Sequence, residues 1–295
     1  MDMNLVSLIE EYGTDEKCRT YLEELRWPNS IACLRCGSMA ISRIKKRGQF
    51  DCDSCRYQFS VLVGSVFSDT HLPLWKWFLA TYIITESKKG ISSNQLKRML
   101  NVSYKTAWYL SHRIRAAMRD VNPIQLTGII EADETWIGGK KKGVGRGTKT
   151  QTMVLGAMER GGDVRFKIEK RRNRKTLHNF ISTVVADDAE AVYTDDWAGY
   201  AGIGDTNTRH ESVNHSQDEW VRADVHTQSI EGVWSLFKRS IVGSYHQLST
   251  KHLPAYLDEM SFRFNNRENP YLFRDTIKRL LDAETLRYAE LVSEA

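Results

Sequence analysis

Four of the five cysteines constrain this chain more than any other feature of its sequence. Cys33 and Cys36 form one C-x2-C knuckle, Cys52 and Cys55 form a second, and fifteen residues separate them. In a reducing compartment such spacing reads as a metal site rather than two disulfides. Each knuckle offers two thiolates, and the second pair closes a tetrahedral Zn²⁺ site with no open coordination position. The ion is therefore expected to be structural. A segment this short has no core of its own, so metal binding supplies the missing folding free energy. Cys18 stands apart and reads as a half-buried small residue.

The chain has 295 residues, enough for two or three domains. No apolar run approaches the ~18 residues of a membrane span, and MDMNLVSLIEEYGTDE lacks a basic n-region and cleavage site. The expectation is a cytoplasmic protein. We divide it into a helical lead-in (1–30), the cysteine-bearing ribbon segment (31–67), a helical segment (68–122), an α/β domain (123–268) and a helical tail (269–295).

Between the knuckles, ISRIKKRGQFDC alternates around Arg47-Gly48, which predicts a β-hairpin. Its Lys45, Lys46 and Arg47 are candidates to face DNA, or are simply a solvated face. LWKWFLATYIITE predicts a packed helix. After Gly90, Ser92 or Ser93 can cap one helix and Ser103 a second, with Asn101-Val102 as the turn. Two short helices so joined fit a helix-turn-helix, with Lys105, Arg113 and Arg115 on the second as DNA candidates. Many α-hairpins share the pattern.

Past Pro123 the character changes. GIIEADETWIG, TMVLGAMER and DVRFKIEK read as strands, RKTLHNFISTVVADD as a helix, and AEAVYTDD as a strand ending in aspartate. That order is expected of a ribonuclease-H-like α/β domain. Between Lys140 and Lys175 thirteen Lys or Arg face three acids, although the net formal charge is only +5. Concentrated positive charge is the footprint of a phosphate-backbone ligand. Lys140, Lys141 and Lys142 lie in GGKKKGVGRGTKTQ, read as a basic loop; it lacks the G-x4-G-K-[ST] pattern of a P-loop.

Asp133 and Asp195 each close an apolar strand, where a carboxylate can project into a cleft. Glu231 lies in HTQSIEGVWSLFKRSI, and Lys238 follows it by two helical turns, on the same face. Three carboxylates in one cleft repel one another unless cations neutralise them. Two Mg²⁺ or Mn²⁺ ions would do so and would activate the attacking and leaving oxygens of phosphodiester chemistry.

The run from EADETWIGGK through VYTDDWAGY to HTQSIEGVWSLFKRSIVGSYHQLSTKHLPAYLDEMSFRFNNRE resembles the IS1595-type, ISXO2-like bacterial insertion-sequence transposases. CLRC…CDSC with the following LVGSVFSDTHLPLWKWF resembles the zinc-ribbon module those enzymes carry. The resemblance implies a DDE transposase on a ribonuclease-H-like core. Asp133 and Asp195 match the first two acids, with Asp196 as a neighbouring fallback. Glu231 matches the third acid, where some relatives have Asn, and Lys238 matches the lysine that follows. It further implies binding to terminal inverted repeats and target DNA as a homo-oligomer. Two alternatives use the same features: a nuclease or resolvase that cuts without joining, and a zinc-ribbon DNA-binding regulator without chemistry. His226 is a weaker candidate to approach the phosphate. Trp136 and Trp197 are candidates for the cleft wall, and Asp258-Glu259 reads as an exposed helix face.

Overall fold

Serine and threonine caps set several helix starts. Thr14 accepts from the backbone N–H of Lys17, Ser92 from that of Gln95, and Ser103 from that of Thr106. The computed structural model describes residues 3–138, 151–204, 208–214 and 217–293. It divides into two units, Met1–Arg119 with Glu268–Ala295, and Asp120–Arg267.

The first unit begins with helices α1 (Leu5–Tyr12) and α2 (Asp15–Arg26). A three-stranded sheet follows, β1 (Ile41–Ile44), β2 (Gln49–Cys52) and β3 (Gln58–Phe59). β1 and β2 are the expected hairpin, with Ile44 opposite Gln49 and Gly48 in the left-handed region at φ +57. Helices α3 (Leu74–Glu86), α4 (Ser93–Leu100) and α5 (Tyr104–Met118) come next, with Asn101 left-handed at the α4–α5 turn. The C-terminal segment is not a trailing tail. Its helices α9 (Leu272–Asp282) and α10 (Tyr288–Val292) return to this unit, where α9 packs on α2, α3 and α5. The amphipathic pattern of α9 explains this, since Phe273, Ile277, Leu280 and Leu281 are all buried.

Two basic candidates on α5 are corrected here. Arg113 and Arg115 are buried rather than facing outward. Arg113 donates to the carbonyls of Val66 and Ser68 and lies over the Trp77 ring, so it ties the 66–68 backbone to α5. Lys105 is exposed and lies over the Tyr288 ring, and Lys45, Lys46 and Arg47 are exposed at the hairpin turn. Lys140, Lys141 and Lys142 fall outside the described residues.

The second unit is a five-stranded sheet of order β6-β5-β4-β7-β8. The strands are β4 (Ile129–Gly138), β5 (Gln151–Glu159), β6 (Val164–Glu169), β7 (Ala191–Asp195) and β8 (Arg209–Val213). β4, β5 and β6 pair antiparallel, whereas β7 runs parallel to both β4 and β8. Alternation along β5 builds two cores. Met153, Leu155 and Ala157 pack with Leu177 and Phe180 of α6 (Arg174–Val184) on one face. Val154 and Met158 pack with α7 (Gln228–Ser240) and α8 (Leu253–Asn265) on the other. A π-helical turn, Ile241–Tyr245, follows α7. On α8 Glu259 is fully buried, paired with Arg263 at 3.2 Å and accepting from the Tyr245 hydroxyl at 2.6 Å. The expected exposed face therefore fails at Glu259, whose charge is held by internal partners.

Candidate active site

The site forms where the sheet changes direction. β7 pairs with β4 only across Ile129–Glu131, so β4 runs on with that edge open. Asp133 and Glu134 lie on this open stretch, and as neighbours in a strand they leave opposite faces. Asp195 ends β7 beside them. One carboxylate oxygen from each of Asp133, Glu134 and Asp195 lies within 4.8 Å of the others. Crevices beyond the carboxyl ends of parallel strands are where open α/β sheets place ligands.

Helix α7 forms the facing wall. A cleft of about 1120 Å³ is lined by Asp133, Glu134, Asp195 and Arg172 on the sheet side and by Glu231, Trp234, Ser235, Lys238 and Arg239 from α7. Asp133, Asp195, Glu231 and Lys238 thus share one cavity, although Glu231 stands outside the tight cluster of three. Trp136 lines the same cleft.

The position of α7 is set from β4. Thr227 provides no side-chain cap to α7. Glu131, fully buried and two residues before Asp133 on the same face, takes over that task. It accepts from the backbone N–H of Ser229 at 2.7 Å and of Ile230 at 3.1 Å, and from the Ser229 hydroxyl at 2.9 Å. Arg160 neutralises it at 2.7 Å, and His226 Nδ1 lies 3.2 Å away. His226 is therefore engaged with Glu131. Nearly two turns into α7, the Trp234 indole N–H donates to Asp133 at 3.0 Å. Gly156, opposite Asp133 on β5, makes room for that indole: a Cβ there would lie 2.5 Å from Trp234 and 3.1 Å from Ile230.

Electrostatics make the cluster a candidate cation site. Burial pushes the Asp133 carboxyl up to about 7, and Glu134 and Asp195 add to the rise. Burial likewise raises Glu134, opposed by the Tyr200 hydroxyl at 2.7 Å and by Arg172. Hard oxygen donors crowded in this way suit Mg²⁺ or Mn²⁺. Asp196 is used elsewhere, accepting from Asn214 at 2.9 Å and from Ser212 at 3.4 Å.

The cysteines of the first unit fit their ion equally well. Cys33 and Cys55 Sγ lie 3.6 Å apart, as do those of Cys36 and Cys52. A tetrahedron with Zn–S bonds of ~2.3 Å has an edge of about 3.8 Å. Phe50, Phe59 and Trp27 pack against Cys33, Cys52 and Cys55, while Cys36 is exposed.

Residues 125–265 match the ISXO2-like transposase domain, and residues 13–58 match the transposase zinc-ribbon domain. The chain carries an ISXO2-like transposase domain and a transposase zinc-ribbon domain. An uncharacterized protein in transposable element ISH50 of Halobacterium salinarum is 26% identical over 275 residues, covering 86% of this chain and 92% of that protein. Among solved structures, a chain of a simian T-cell lymphotropic virus intasome in complex with the PP2A regulatory subunit B56 gamma matches at 12% identity and a TM-score of 0.32. That match covers 63% of this chain and 65% of the other. A pre-cleavage Mos1 transpososome matches at 12% identity and a TM-score of 0.28, covering 69% and 75%. No helix among the described residues of this chain is long and apolar enough to cross a membrane.

The four clustered cysteines, and the acids Asp133, Asp195 and Glu231 that line the cleft, were picked out in the sequence. Glu131, Glu134, Arg160, Arg172, Tyr200 and Gly156 were not picked out. A signal existed for Glu131: in EADE it shares the strand face of Asp133, and an acid on a face otherwise bound for the core needs a partner.

Proposed function

We propose that this chain is a DNA transposase that binds the terminal inverted repeats of its element and catalyses metal-dependent cleavage and strand transfer. The observation that carries this is the meeting of Asp133 and Asp195 at the open edge of β4, with Glu231 and Lys238 lining the same cleft. The sheet order, three antiparallel strands followed by two parallel ones, supports a ribonuclease-H-like core. Asp133, Asp195 and Glu231 would hold two Mg²⁺ or Mn²⁺ ions, which when bound stabilise the attacking and leaving oxygens of an in-line displacement.

The chain's own groups prepare that reaction. Trp234 fixes one Asp133 oxygen, while Glu131 holds the start of α7 and so sets where Glu231 stands. Lys238 binds a phosphate as a point charge. Water attacks phosphorus at each end of the element and the bond to the 3′ oxygen breaks, leaving a 3′ hydroxyl. That hydroxyl attacks the phosphorus of a target phosphodiester, whose own bond to its 3′ oxygen breaks and leaves a target 3′ hydroxyl, so no covalent protein–DNA intermediate forms. Two ends handled together call for at least a dimer on DNA. The zinc ribbon and the α4–α5 pair are read as the end-recognition elements, with Lys45, Lys46, Arg47 and Lys105 as exposed contacts. The setting is the cytoplasm, at the nucleoid.

The test incubates wild type and Asp133→Asn with labelled DNA flanking the gene and a target plasmid, with and without Mg²⁺. Metal-dependent cuts at inverted repeats followed by joining, in the wild type alone, are expected. Cutting without joining would move the reading to a nuclease. Binding without any cutting would withdraw the catalytic assignments.

A further inference from the structure

Among the described residues that line the cleft, four acids (Asp133, Glu134, Asp195, Glu231) face three cations. Lys238 and Arg239 ride on α7. Arg172 stands on the opposite side, in the connection between β6 and α6, against the acid cluster itself. Its Nη2 is ion-paired with Glu134 Oε1 and lies 3.8 Å from Asp195 Oδ2. Its guanidinium sits 3.9 Å from the centroid of the Trp197 ring. The Tyr200 hydroxyl occupies the other oxygen of Glu134 at 2.7 Å. Burial beside Glu134 keeps that hydroxyl protonated and donating. Glu134 therefore has a donor on each oxygen and is engaged in holding Arg172.

We propose that Arg172 is a phosphodiester-binding residue of the cleft, held in place by Glu134, Tyr200 and Trp197. Nη2 makes the closest approach to both carboxylates, and a guanidinium carries five N–H donors, more than two carboxylate contacts use. A planar fork presents paired donors to two oxygens of one phosphate, and stacking on an indole fixes its plane in advance. The side chain is 32% exposed, enough to meet a strand in the cleft. With a divalent cation held at Asp195, that carboxylate's charge would be taken up and the guanidinium would face one anion instead of two. Metal loading thus strengthens the site for a phosphate. If Arg172 served merely to neutralise Glu134, DNA would not sense it.

The proposal rests on the transposase reading only in naming DNA as the polyanion. The test measures binding of the full-length protein to duplexes from the DNA flanking the gene. Each duplex carries one neutral methylphosphonate, moved linkage by linkage, with Ca²⁺ replacing Mg²⁺ to prevent cutting. Wild type is expected to lose about tenfold in affinity at one linkage, the cost of a charge-assisted contact. Arg172→Ala should bind the unmodified duplex about tenfold more weakly than wild type, and should bind the duplex neutral at that linkage as well as wild type does. Its plot of log affinity against log salt should be shallower by about 0.9. Arg172→Lys should restore the slope but only part of the affinity, and it carries the test if the alanine variant does not fold. A wild-type slope and an unchanged interference map in Arg172→Ala would overturn the proposal. Cutting by wild type in Mg²⁺ reports separately on the transposase reading. A chain with this interference map that never cuts would sink that reading and leave Arg172 in its assigned role.

Discussion

Asp133 and Glu131 stand two residues apart on one face of β4, in opposite surroundings. Glu131 is ringed by donors, whereas Asp133 meets one indole N–H, the backbone N–H of Glu134 and two neighbouring carboxylates. Asp133 therefore holds its proton in the folded chain up to about pH 7, against an ordinary value of 3.8. The folded state binds more protons than the unfolded one across that window, so without metal stability falls as pH rises through it. Mg²⁺ competes with the proton for the same oxygens. Thermal melts should show a small Mg²⁺ shift at about pH 5 and a large one at about pH 8, with Asp133→Asn losing most of the difference. Equal shifts at both pH values would count against Asp133 as a ligand. Glu131→Gln tests the neighbour: its amide points a donor at the N–H groups of α7. We expect a loss of about 2–5 kcal/mol in urea denaturation, accompanied by loss of cleavage.

At the scale of elements, α7 is held against the sheet by its capped start and by Trp234 lying over Gly156. Gly156→Val places a branched side chain where the indole sits. The helix must move, costing about 1–3 kcal/mol and, as the sharper readout, metal-dependent cutting. Zinc content should be unchanged, because the four cysteines belong to the other unit. Elements with a strong local signal were legible in the sequence. The hairpin at Arg47-Gly48, the capped α4 and α5, and strands β4 to β7 all declare themselves by alternation or capping. Strand β8 does not. RHESV has one apolar residue, because an edge strand needs few inward side chains, and its ion pairs with Arg222 and Asp224 form only in the fold. Arg113 misled for a related reason. A basic residue on a helix looks solvent-facing until a carbonyl pair from a distant segment accepts it. Arg172 and Tyr200 are site residues only because the β4 edge gathers them, and no spacing in the chain records that.

For the whole molecule, the second unit is one continuous stretch, Asp120–Arg267, while the first is assembled from both ends of the chain. A chain ending at Arg267 loses α9, including Phe273, which contacts Tyr12 and Phe78, and the Leu280 carbonyl, which accepts from Val66. Limited proteolysis of that truncated chain should digest residues 1–119 while a fragment spanning 120–267 persists. Equal survival of both would mean that α9 contributes little. The nesting also bears on birth order. Domains emerging from the ribosome usually mature from the N-terminus onward. Here the first unit waits for the last helices to be translated, while the acid-bearing sheet is complete earlier. A chain that stops before residue 268 therefore carries the whole second unit beside an unfinished first one, so the two units become complete at different moments of synthesis.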